Sequence, residues 1–147
     1  MMASPDPTDT LPVAVLGGTG YVAGELLRLI AGHPRMSLAA VASSSRSTQP
    51  VAATFPNLAG CLGPAVFVPP EDVFDAAAAG RLAGIFSATP HGAAAPLIAG
   101  LLDASGTGAP KVVDASADFR FADVDRYARV YGHPHGAPEL QEQFCCA

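Results

Sequence analysis

Residues 13–25 read VAVLGGTGYVAGE: a short apolar, β-leaning run stops at glycines, and a helical pattern begins within two residues of the last of them. A strand that turns on glycine straight into a helix lets backbone N–H groups approach a pyrophosphate. The helix N-terminus adds its dipole in the anion's favour. The spacing Gly17-x-x-Gly20-x-x-Ala23, with Gly24 adjacent, is a variant of the dinucleotide fingerprint with alanine at the close-packing position. Alone the motif is weak. Its context strengthens it, with a strand before it, a helix after it and a second strand about twenty residues on. A tight turn that binds nothing is the alternative.

The alternation continues along the chain. Residues 1–11 read as a disordered leader rich in Pro, Asp and Thr. Strands are expected at 13–17, 38–43, 65–68, 83–88 and 111–114. Helices are expected at 21–31, 71–79, 93–102 and 123–131, the first placing Val22, Leu26, Leu29 and Ile30 at helical spacing. Residues 44–64, punctuated by Pro and Gly, read as a surface excursion. Continuous apolar strands alternating with helices predict an α/β fold, a Rossmann-type doubly wound and mainly parallel sheet covered on both faces.

Composition removes several alternatives. The 147 residues suffice for about one domain. Half are apolar and 14% charged, which argues against intrinsic disorder. No apolar run approaches the roughly 18 residues a membrane span requires, and the first ten residues lack the basic and apolar regions of a signal peptide. A net charge of −5, with Lys111 the one lysine, gives no basic stripe for nucleic acid. Cys61, Cys145 and Cys146 form neither a disulfide framework nor a zinc spacing, so no metal is expected and a reduced, cytoplasmic setting fits. Packing is the expected role of Cys61. His133 and His135, flanked by Gly and Pro, read as loop residues.

The ribose partner follows from what the second strand lacks. NAD-specific sites usually place an acidic residue near that strand's end, yet none occurs between Leu26 and Pro70. The strand runs instead into Ser43, Ser44, Ser45 and Arg46. Hydroxyls beside a guanidinium suit a 2′-phosphate, so NADP is the expected cofactor. A solvated serine loop with one stray arginine is the competing reading.

Five blocks in order carry a family resemblance: GGTGYVAGELLRLIAGHP at 17–34, SSSRS at 43–47, FSATPHGAA at 86–94, KVVDASADFR at 111–120 and YARVYGHPHGAPEL at 127–140. From about Leu11 onward the chain resembles the N-acetyl-gamma-glutamyl-phosphate reductases of arginine biosynthesis. It is similar also to the reductases of carrier-bound aminoadipyl phosphate in lysine biosynthesis. The resemblance implies NADP-dependent reduction of an acyl phosphate, N-acetyl-glutamyl 5-phosphate, to its semialdehyde. A cysteine thiolate attacks the acyl phosphate, hydride reduces the resulting thioester, and a histidine acts as base. That cysteine lies in a Gly-Cys block some distance after the PEL-type segment, which this chain does not reach, and the histidine belongs to a second domain. Hence no residue here is assigned a catalytic role, and the chain is expected to be a cofactor-binding portion truncated before the substrate domain. The full-length enzyme is expected to be a homo-oligomer acting on a small molecule.

The residues expected to contact the cofactor are Gly17, Thr19, Gly20, Tyr21 and Val22 in the turn, Ser43, Ser44 and Arg46 after the second strand, Pro90 and His91 after the fourth, and Ser116 after the fifth. His91 serves equally as a turn former. Asp118 and Arg120 are expected to form an ion pair or to order their loop. Two other classes compete. A short-chain dehydrogenase needs Tyr-x-x-x-Lys, but residue 107, four before Lys111, is threonine. A non-catalytic NADP-binding module stays open.

Overall fold

The computed structural model describes residues 10–146. The first nine residues of the expected leader lie outside the described residues, and Leu11, its last, already starts strand β1 (Leu11–Leu16). There follow α1 (Tyr21–Ala31), β2 (Met36–Val41), two single-turn helices α2 (Val51–Thr54) and α3 (Ala59–Leu62), α4 (Pro70–Ala78), β3 (Gly84–Ser87), α5 (Ala94–Ser105), β4 (Lys111–Asp114) and α6 (Val124–Tyr131). The four strands form one parallel sheet in the order β2-β1-β3-β4. Val15 pairs with Val41 on one side and Phe86 on the other.

Both faces of β1 are covered, which is why it reads as an unbroken apolar run. Alternate side chains leave opposite faces of a strand. Val13 and Val15 meet Ala23, Leu27 and Ile30 of α1, together with Val51, Leu58 and Phe67. Ala14 and Leu16 point the other way, onto Ile85, Val73 and Ala77 of α4, and Leu101 of α5. A third cluster joins Ala94, Ala95 and Ile98 of α5 to Phe119, Ala137 and Leu140. Because β2 lies on one side of β1 and β3 on the other, strand order reverses between β1 and β3. In open α/β sheets ligands bind at the carboxyl ends of the strands flanking such a point.

Four expectations need correction. Residues 65–68 form no ladder strand; they make single bridges, Val68 to Ala42 and Val66 to Pro50. The run is four residues long between prolines, and its groups divide between the end of β2 and the 48–51 turn. Residues 44–64 are no mere surface excursion, since Val51 and Leu58 are buried in the core. The buried face of α1 is Ala23, Leu27 and Ile30, whereas Val22 and Leu29 are half exposed. Cys61, expected to pack, is exposed on α3.

Candidate functional site

Gly17 turns the chain out of β1 with φ +72°, in the left-handed region. A Cβ there would lie 2.7 Å from the Thr89 backbone nitrogen, so the turn touches the residue just beyond β3. Gly18 holds the other flank: its N–H donates to the Ala42 carbonyl at 2.9 Å. A Cβ on Gly18 would meet Val41 Cγ2 at 2.5 Å. The two glycines thus seat the turn against the ends of β2 and β3 at once. Gly20 precedes α1 in extended backbone and caps it with no side chain, and open space lies where its Cβ would be. The first-turn N–H groups of α1 therefore have no side-chain cap, leaving the positive end of the helix dipole bare. Thr19 donates its N–H to Gly17, and Tyr21 is fully exposed. Ala23 is buried as a close-packing residue should be, while Gly24 beside it lies under the Phe55 ring.

At the end of β2, Ser43 is buried and its Oγ accepts the Arg46 N–H at 3.2 Å, closing the turn. Ser44, Ser45 and Arg46 are left facing solvent. The Arg46 guanidinium enters no ion pair among the described residues.

Across the switch point, the loops after β3 and β4 enclose a cleft of about 310 Å³ lined by Val22, Thr89, Pro90, His91, Ser116 and Arg120. Thr89 Oγ1 is buried there without a hydrogen-bond partner. The exposed His91 lies against Tyr131, ring centroids 5.4 Å apart. Ser116 Oγ donates to Asp114 and accepts the Asp118 N–H at 3.1 Å, so its side chain is held in the loop. Four expected residues, Val22, Pro90, His91 and Ser116, thus line one cleft, and Gly17 abuts its Thr89 wall. Ser43, Ser44 and Arg46 do not line it. They stand at the end of β2, tied to the turn through Gly18 and Ala42.

Asp118 is more than its sequence neighbours suggest. It is fully buried, and its carboxylate accepts the N–H of Gly92 at 2.7 Å, the N–H of Ala95 at 2.9 Å and the Tyr127 hydroxyl at 2.8 Å. Burial works to raise its pKa, but those donors and the nearby His135 hold it below the ordinary carboxylate value. Burial, then the bond to Asp118, pushes the Tyr127 hydroxyl up. His135 accepts the Ala137 N–H on Nδ1, which leaves Nε2 to donate to the Asp118 carbonyl at 2.8 Å. Asp118 therefore orders its loop rather than pairing with Arg120, which is exposed. His133 and His135 face rings and backbone, and among the described residues no cluster of His, Cys, Asp and Glu could hold a metal.

A larger groove of about 760 Å³ runs along β4, between Lys111, Val113 and the exposed Cys145 and Cys146. It contains no residue of the glycine turn. The bare α1 N-terminus, the glycine cradle and the unpartnered Thr89 hydroxyl converge at the switch point instead, an arrangement that fits a dinucleotide.

Comparison with known proteins agrees with that geometry. The family model for the semialdehyde dehydrogenase NAD binding domain matches residues 12–144. An N-acetyl-gamma-glutamyl-phosphate reductase of Azotobacter vinelandii is 48% identical over 130 residues, covering 88% of this chain and 36% of that protein. One of Pseudomonas aeruginosa is 45% identical over 133 residues, 90% of this chain and again 36% of the relative. The chain thus spans little more than a third of these relatives' length. Among solved structures, an aspartate semialdehyde dehydrogenase with NADP from Candida albicans superposes with a TM-score of 0.62 over 87% of this chain and 41% of that one. At 15% identity that likeness concerns the fold.

Proposed function

Since the chain belongs to the semialdehyde dehydrogenase NAD-binding domain family, we propose that it is the cofactor-binding portion of an NADP-dependent reductase converting N-acetyl-glutamyl 5-phosphate to its semialdehyde. The observation that carries this reading is the convergence at the switch point, in a chain whose relatives bear that activity in their names. The backbone of Gly17–Gly20 and the first turn of α1, with Thr19, Tyr21 and Val22, hold the pyrophosphate. Ser44 and Arg46, on a turn closed by Ser43, take the ribose 2′-phosphate. Pro90, His91 and Ser116 border the nicotinamide. When bound, NADPH supplies the hydride, and these residues bind and orient it. His91 contributes through its backbone.

We assign the cysteine nucleophile and the histidine base to the remainder of a longer, homo-oligomeric cytoplasmic enzyme. Cys145 and Cys146 are poor candidates, because they border the β4 groove and not the cleft. The 147-residue chain alone is therefore expected to reduce no acyl phosphate. A chimera tests the proposal: residues 12–144 replace the matching portion of the Azotobacter vinelandii reductase. NADPH-dependent reduction of N-acetyl-glutamyl phosphate is expected. A folded chimera with no such activity, or activity in the chain alone that Cys145→Ser abolishes, contradicts it.

A further inference from the structure

The two walls of the cleft come from different stretches of chain, and one carboxylate joins them. Pro90 and His91 lie just before Gly92, whose N–H donates to Asp118 Oδ1; Ser116 and Arg120 flank Asp118 in sequence. The Tyr127 hydroxyl reaches that same oxygen from α6, and Ala95 N–H takes the other. Asp118 is in turn held at both ends of its own backbone, its N–H by Ser116 and its carbonyl by His135. Behind Gly92 (φ +81°) sits the His133 ring, 3.2 Å from where a Cβ would be, so this turn has little room to shift. The glycine turn, by contrast, hangs on Ala42 and on the backbone at Thr89, and the Ser43–Arg46 turn on Ser43 itself; neither touches Asp118.

We infer that Asp118 is a positioning residue for the nicotinamide half of the cofactor, setting the distance between the Pro90–His91 and Ser116–Arg120 walls through the Gly92 N–H. The inference rests on the cofactor reading proposed above. It separates the site into two halves with different supports. The adenosine 2′-phosphate half depends on the βαβ unit of β1, α1 and β2; the other half depends on Asp118.

Equilibrium titrations of the purified chain with two ligands test this. NADP⁺ spans both halves, whereas adenosine 2′,5′-bisphosphate has no nicotinamide half. Asp118→Asn keeps the shape but turns an amide NH₂ toward an N–H donor. It is expected to weaken NADP⁺ binding about tenfold or more, the scale of one hydrogen bond to a charged group, and to leave the bisphosphate within about twofold. Tyr127→Phe keeps the carboxylate and removes one donor. It should cost NADP⁺ about two- to fivefold with the bisphosphate unchanged, and it carries the test by itself if Asp118→Asn does not fold. Equal losses for both ligands, or none for either, overturn the inference while leaving the cofactor reading in place. A wild-type chain that binds neither ligand overturns both.

Discussion

Arg46 is a single guanidinium on an exposed turn, and in the proposed function the preference for NADPH over NADH rests largely on it. Ser43 is spent on closing that turn, so the charge that can meet a 2′-phosphate is Arg46, with Ser44 beside it. Replacing Arg46 by alanine should weaken NADPH binding by about 1.5–3 kcal/mol and leave NADH nearly unchanged, as read by calorimetric titration. Loss of both cofactors alike would place Arg46 elsewhere in the account. Asp118 gives a second prediction, in acid. Its pKa is lower folded than unfolded, so its carboxylate contributes stability that is fully present above the unfolded value of about 3.9 and is lost as pH falls through the folded value. Thermal unfolding of Asp118→Asn should therefore depend less on pH below about 4 than the wild type does. An unchanged acid limb would mean that other carboxylates dominate it.

At the scale of elements, the junction of β1 and α1 was legible because its signals are local. The apolar run, the glycines and the helical spacing all lie between residues 13 and 30, and the structure places strand, turn and helix there. The face of α1 was harder to read, since Val22 and Leu29 are as apolar as Leu27 and Ile30. Which of them is buried depends on where the helix axis lies over β1. Val22 is exposed because it borders the cleft. Residues 65–68 misled because four apolar residues between prolines look the same whether they join a ladder or bridge a loop. The two backbone N–H donors to the Asp118 carboxylate, Ala95 and Gly92, lie 23 and 26 residues away, so no local spacing discloses them. The corrected face of α1 makes its own prediction. Leu27→Ala should cost about 2–5 kcal/mol in chemical denaturation, whereas Leu29→Ala should cost well under half of that. Similar losses at the two positions would restore the face expected from sequence.

In the whole molecule, β4 is one of the two outer strands of the sheet, and Val113 on it is 55% exposed beside an open groove. An unpaired strand edge templates association, so the 147-residue chain by itself should self-associate with rising concentration in sedimentation experiments. A sharp monomer at high concentration would show that the edge is protected. NADPH should also raise the melting temperature, because a ligand that binds the folded state alone stabilises it by mass action. The claim on which the rest depends is that the switch-point cleft and the turn after β2 together bind a phosphorylated dinucleotide. Calorimetric titration of the purified chain with NADPH and with NADH tests it most directly. Saturable one-to-one binding of NADPH is expected, about tenfold or more tighter than that of NADH, the margin one arginine–phosphate contact supplies. Equal affinity for the two cofactors, or binding of neither, would contradict it.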